Sequence, residues 1–188
     1  MSEEAIDEVS PATTDSEVGW TPIEPLVAIA GGRSFVSGEP NGDRLRVRYF
    51  RREKDGALVG KIWFGPGAEG PPAHAHGGSM AAVLDEAMGA AAWMAGHTVV
   101  AVKLTVNFRR MLALGSEVLL ESWVDRVEGR KVMTRGCLLG LDGQPYAEAE
   151  GLFIVLEAER FGGLVERAAQ VLDKAIGKPA RNGEPGDV

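Results

Sequence analysis

The stretch from Gly77 to about Ala95 constrains the fold more than any other part of the chain. Met80, Val83, Leu84, Met88, Trp93 and Met94 lie there among alanines, and only Asp85 and Glu86 are charged. A helix of this composition is apolar on nearly every face, so it belongs at the centre of a fold and must be enclosed by other elements. A carboxylate on such a helix either reaches solvent at an edge or occupies a polar cavity, because burying an uncompensated charge is strongly unfavourable. Asp85 is therefore an edge charge, a buried residue with a local partner, or a functional group, and its position alone leaves these open.

The flanking segments supply the enclosure. Leu45, Val47 and Tyr49 alternate with Arg44, Arg46 and Arg48, the period of a half-buried strand. Asp55-Gly56 carries hairpin chemistry ahead of a second strand from Ala57 to Phe64, which the Gly65-Pro66-Gly67 cluster ends. After the helix, strands are predicted over roughly 99–109, 116–127, 130–141 and 145–156, with tight turns at Glu128-Gly129 and Asp142-Gly143. Within the first of these, Val100, Val102, Leu104, Val106 and Phe108 are expected to share one face. Two strands, one buried helix and then an antiparallel run predict an α+β domain without βαβ repeats.

A chain of 188 residues accommodates one such domain with tails. Residues 1–20 read as an acidic, mobile tail, with Glu3, Glu4, Asp7, Glu8, Asp15 and Glu17 and no Lys or Arg. The domain is expected over 21–158, its N-terminal extension holding a short helix near Leu26 to Ala30. Residues 159–188 read as an amphipathic helix, from about Leu164 to Ile176, followed by a tail; Gly177 and Pro179 stop that helix. Outside the acidic tail the charges nearly balance, which argues against nucleic acid as a partner. No uncharged stretch reaches the length of a membrane span, since Ala87 to Val102 is short and interrupted by Gly89, Gly96 and His97. The start of the chain lacks the pattern of a secretory or transit sequence, so a cytoplasmic location is expected. The single Cys137 excludes an internal disulfide framework and is read as a core thiol.

The start of the central helix adds chemistry to Asp85. His74-Ala75-His76-Gly77-Gly78 brings a loop to a helix N-terminus with two residues that allow close backbone approach, leaving N–H groups that favour a developing oxyanion. An oxyanion donor and a carboxylate base are the parts needed for water attack on an ester or thioester. His76 and Asp85 are nine residues apart, about 13 Å along a helix axis, too far to share one carbonyl. Asp85 of one subunit facing Gly77 of another removes the difficulty, so the chemistry itself implies a dimer. Other arrangements fare worse. His74 and His76 lack a third metal ligand nearby. Gly77-Gly78-Ser79-Met80-Ala81 departs from a nucleophile elbow, which needs a late histidine, whereas the last one here is His97.

The run EGPPAHAHGGSMAAVLDEAMGAA resembles the hotdog-fold acyl-CoA thioesterases of the PaaI-like family. VNFRRMLALGSEVLLESWVDRVEGRK and AEAEGLFIVL are most similar to the branch containing thioesterase superfamily members four and five. The resemblance covers roughly residues 40 to 157. It implies an antiparallel sheet of five to six strands wrapped around the central helix, assembled as a homodimer or as a homotetramer of paired dimers. It also implies hydrolysis of acyl-CoA without a cofactor or metal. Asp85 matches the family's general base or nucleophile, Gly77 its backbone oxyanion donor and His76 the residue positioning that donor; Gly78 is expected beside the substrate. Two departures stand out. Relatives often carry Ser or Thr where this chain has Ala101, Val102 and Lys103, and Asn where it has Gly70. Thr105 or Asn107, expected on the same strand face as Ala101, are the candidate replacements for the missing hydroxyl. Arg109-Arg110, Arg130-Lys131 and the arginines of 44–52 are candidate grips for the coenzyme A phosphates, with Arg109 and Arg110 favoured. A non-catalytic acyl-CoA binder and a hotdog hydratase are the alternative readings.

Overall fold

The computed structural model describes residues 16–23, 34–37, 39 and 41–157, together with the single positions 163, 166 and 170. Among the described residues, seven strands and one long helix follow in the order β1 (Trp20–Ile23), β2 (Leu45–Arg52), β3 (Leu58–Phe64), α1 (Gly77–Met94), β4 (Val99–Phe108), β5 (Glu117–Glu128), β6 (Lys131–Leu139) and β7 (Pro145–Val155). They form one antiparallel sheet with the strand order β1-β2-β3-β5-β6-β7-β4. The turns read from Gly129 and Gly143 both place glycine at positive φ, 56° and 75°, where a Cβ is disfavoured.

The sheet curves round the helix, because α1 touches each of β3 to β7. Met80, Val83, Leu84, Ala87 and Met88 form its buried face, and Ile62, Phe64, Leu120, Val132 and Leu138 meet it from the strands. Gly136 lets β6 come close: a Cβ there would lie 3.2 Å from Leu84 and 3.3 Å from Met88. No helix among the described residues is long and apolar enough to cross a membrane.

Three expectations need correction. The sheet has seven strands rather than five or six, because Trp20–Ile23 adds a short edge strand to β2. Pro22 concealed it, although proline is tolerated where a strand is an edge. Residues 16–20 are accordingly not all tail: Glu17 pairs with the nearly buried Lys61 at 3.0 Å, and the Trp20 ring packs against Phe50, tilted at 45° with centroids 5.6 Å apart. Cys137 is not in the core but half-buried on the outer face, in register with Glu121 and Glu148; burial pushes its thiol up to about 11. The short helix expected near Leu26 and residues 1–15 lie outside the described residues. So does most of the C-terminal helix, of which Glu166 and Gln170 are helical and exposed.

The two sheet edges differ. β1 is four residues long and carries Pro22, which blunts it against further pairing. β4 is ten residues long and mostly exposed, with Val100, Val102 and Phe108 open to solvent and Met111 just beyond its end.

Leu84 is fully buried between α1 and β6. Leu84→Ala is expected to lower stability by about 2–5 kcal/mol, read from urea unfolding midpoints at constant slope.

Candidate active site

His76 is the N-cap of α1. Its Nδ1 accepts from the Gly78 N–H at 2.9 Å, so this nitrogen carries no proton in the cap. Its own N–H donates to the Ala68 carbonyl at 2.8 Å, which anchors the loop. Ser79 Oγ donates to the His76 carbonyl at 2.7 Å, the local bond of a first-turn serine and not a nucleophile's contact with a base. Among the described residues nothing accepts from the Gly77 N–H. That donor is one of the groups a helix leaves unpaired at its start.

The two glycines have different work. A Cβ at Gly78 would sit 2.8 Å from His76 Nδ1 and disrupt the cap. Gly78 is therefore a capping position whose N–H is already taken by His76 and is not free to donate to a substrate. A Cβ at Gly77 would lie 3.2 Å from the Phe108 ring, which stands half exposed beside the helix start. Gly70 is required for a third reason: a Cβ there would meet His76 Cα at 2.7 Å, so the family's asparagine would not fit this loop.

Asp85 is half-buried and borders an open groove of about 380 Å³ lined by Ala81, Ala82, Ala101, Val102, Lys103 and Leu104. No described residue bonds its carboxylate, which removes the local-partner reading among those residues. Burial raises its pKa above the ordinary aspartate value. The cap and the groove thus lie along one helix, the Gly77 N–H at its start and Asp85 near its middle.

Strand β4 holds a bulge. Ala101 opposes Phe153 and Lys103 opposes Leu152, leaving Val102 as the extra residue. The alternation therefore changes phase: Ala101, Leu104, Val106 and Phe108 follow the inward-facing Phe153, Gly151, Ala149 and Ala147, while Val100, Lys103, Thr105 and Asn107 oppose the outward residues of β7. Val100 does not share the face of Leu104, Val106 and Phe108, as simple alternation predicted. Thr105 and Asn107 likewise lie on the face opposite Ala101, so they do not replace the missing hydroxyl beside Asp85. An inserted residue that flips parity leaves no mark in a run of alternating valines.

Arg109 and Arg110 are already committed. Arg109 pairs with Glu148 at 2.7 Å. Arg110 holds Asp142 through two bonds, donates to the Gln144 and Pro145 carbonyls and stacks 4.3 Å over Tyr146, bracing the turn between β6 and β7. Lys131, a candidate from sequence, and Lys103, which was not one, have no carboxylate partner among the described residues. Both line an outer groove of about 420 Å³, and Lys103 also borders the Asp85 groove. Nearby Arg135 is shared between Asp125 and Glu150, and Arg126 pairs with Glu128. Only the paired geometry separates a spent cation from a free one.

A curved antiparallel sheet enclosing one apolar helix, with a capped glycine pair at its start, is the hotdog thioesterase fold. Residues 73–144 match the thioesterase superfamily, and the chain carries a domain of that superfamily. The acyl-coenzyme A thioesterase THEM4 of Bos taurus is 33% identical over 127 residues, covering 67% of this chain and 52% of that protein, so this chain spans about half the length of that relative. A solved thioesterase superfamily protein superposes with a TM-score of 0.60 at 27% identity, covering 77% of this chain and 68% of that one. A Streptococcus mutans protein solved bound to acetyl CoA shares the fold, with a TM-score of 0.52 at 17% identity over 54% of this chain and 82% of that one.

The raised Asp85 pKa has a stability consequence with a definite sign. Between the ordinary value of 3.8 and the raised one the folded state holds more protons than the unfolded state, so stability falls as pH rises through that window and stays reduced above it. Asp85→Asn is therefore expected to be more stable than the parent at neutral pH. The advantage should disappear below the ordinary aspartate value, a comparison made by urea titration at both pH values.

Proposed function

We propose that this chain hydrolyses acyl-CoA thioesters to free acid and CoA, with Asp85 as general base and the Gly77 N–H as oxyanion donor. The observation that carries this reading is a half-buried carboxylate without a partner among the described residues on the same helix as an unclaimed N–H. Water attacks the thioester carbonyl carbon while its proton passes to Asp85. The negative charge gathers on the carbonyl oxygen, against the Gly77 N–H. Collapse of this intermediate breaks the C–S bond, and the CoA thiolate takes the proton back from Asp85. The thioesterase name of the bovine relative and the acetyl CoA bound by the streptococcal protein support the substrate class.

Gly77 and Asp85 are eight residues apart, about 12 Å along α1, so one chain does not bring both to a single carbonyl. A second copy paired antiparallel along β4 answers this and covers the exposed Val100, Val102 and Phe108. A two-fold axis near the middle of β4 sets the Phe108 end of the second copy opposite Val99, carrying its helix start toward Asp85. Sites shared between subunits follow. The rival reading, a non-catalytic acyl-CoA binder, is favoured by one observation: the groove-facing position of the family's hydroxyl is Ala101.

Release of free thiol from a panel of acyl-CoAs separates the two, since a binder gives no turnover. Asp85→Asn should lower kcat by about 10²–10⁴-fold, and near-normal kcat in a folded variant would exclude Asp85 as base. Mixing that variant with inactive Gly77→Pro, which lacks the N–H, should restore activity in hybrid dimers. No recovery in verified hybrids would argue for a single-chain site.

Lys103 and Lys131, the cations without an ion-pair partner that line these two grooves among the described residues, are placed to hold the CoA phosphates in this reading. Replacing both with Ala should raise KM for acyl-CoA by about ten- to a hundredfold, the size of lost hydrogen bonds to charged groups. KM for an acyl-pantetheine substrate, which has no nucleotide, should not change.

A further inference from the structure

Glu86 follows Asp85 in sequence, and on a helix their side chains point about 100° apart. The reaction proposed above uses only Asp85. Glu86 is held firmly instead: its Oε1 accepts from the Tyr49 hydroxyl on β2 at 3.0 Å, and its Oε2 accepts from the Ser34 hydroxyl. Tyr49 is buried, and burial together with the Glu86 carboxylate pushes its hydroxyl well above the ordinary phenol value. It therefore stays a donor throughout the working pH range. Ser34 Oγ also accepts from the Val36 and Ser37 N–H groups at 3.1 and 3.0 Å, which ties the turn at 34–37 to the middle of α1.

Large side chains pack this helix on its sheet side only. Met80, Val83, Leu84 and Met88 decide which side faces the sheet. The flank that carries Asp85 is Ala81, Ala82 and Gly89, and side chains this small form no ridge that resists a slight turn about the axis. At the outer radius of a helix, about 5–6 Å, a turn of roughly 10° moves a carboxylate by about 1 Å. A displacement of that size in a catalytic group costs on the order of 10²-fold in rate.

We infer that Glu86 is a positioning residue: held by Tyr49 and Ser34, it locks the rotation of α1 about its axis and so aims Asp85 into its groove. The inference rests on the reading of Asp85 as the base. In that role Glu86 touches no substrate, and its loss should alter kcat rather than substrate affinity.

The test compares Tyr49→Phe, Glu86→Ala and Glu86→Gln by acyl-CoA kinetics and by crystal structures. Tyr49→Phe and Glu86→Ala are expected to lower kcat roughly tenfold or more, with KM within about twofold of the parent and the Asp85 carboxyl displaced by about 1 Å. Glu86→Gln keeps an oxygen that accepts from Tyr49, so it should retain most of kcat with Asp85 in place. An unchanged kcat, or a lowered kcat with Asp85 unmoved, overturns the inference. Should Glu86→Ala fail to fold, Tyr49→Phe removes a single hydroxyl and carries both readouts. If the parent hydrolyses no acyl-CoA, the functional reading falls by itself. The Asp85 displacement in the crystal structures then decides the positioning claim alone.

Discussion

Helix α1 meets strands β3 to β7 with Val83, Leu84, Ala87 and Met88 inaccessible to water, and this contact organises the molecule. A helix apolar on nearly all sides demands enclosure, and a single twisted sheet provides it by curving round the helix. The enclosure leaves a difficulty at its middle, where two adjacent carboxylates must be accommodated. Glu86 turns toward β2 and is satisfied by two hydroxyls. Asp85 turns toward a groove and receives no bond among the described residues. One neighbour is stabilised by structure and the other is left without a partner among the described residues.

The site's geometry depends on how the chain enters and leaves this helix. At its start, His76 takes up the Gly78 N–H, while the Gly77 N–H has no acceptor among the described residues. Beyond its end, β4 returns along the helix and is displaced in phase by the bulge at Val102. That single extra residue turns Ala101 toward Asp85 and sends Lys103, Thr105 and Asn107 outward. It also places Lys103 at the rim between the Asp85 groove and the outer groove. The unprotected length of β4, beside the blunted edge at β1, marks where a second copy would complete the assembly proposed here.

Much of the fold was legible because its signals are local. The apolar run of α1, the alternation in β2 and the Asp-Gly and Glu-Gly turns each depend on neighbours in sequence. Asp85 and the His76-Gly77-Gly78 cap were legible as candidates for the same reason, since a charge in an alanine-rich helix and a glycine pair at its start stand out against their surroundings. Strand β1 was not legible, because Pro22 argues against a strand unless the strand is known to be an edge. Cys137 was misread for a related reason: a half-buried strand residue shows its face only through its partners, here Glu121 and Glu148.

By itself, then, the sequence determined that an apolar helix must be enclosed by an antiparallel sheet and that Asp85 would be its anomalous charge. These follow from burial and periodicity, which act over a few residues. Tertiary structure alone decided which cations are spent, since Arg109 and Arg110 find carboxylates on β7 and in the turn before it. It alone decided that Glu86 is anchored, through Tyr49 and Ser34 from 37 and 52 residues away. Pairing between groups so distant along the chain depends on register and curvature, and a one-residue bulge changes both without altering the composition from which a sequence is read.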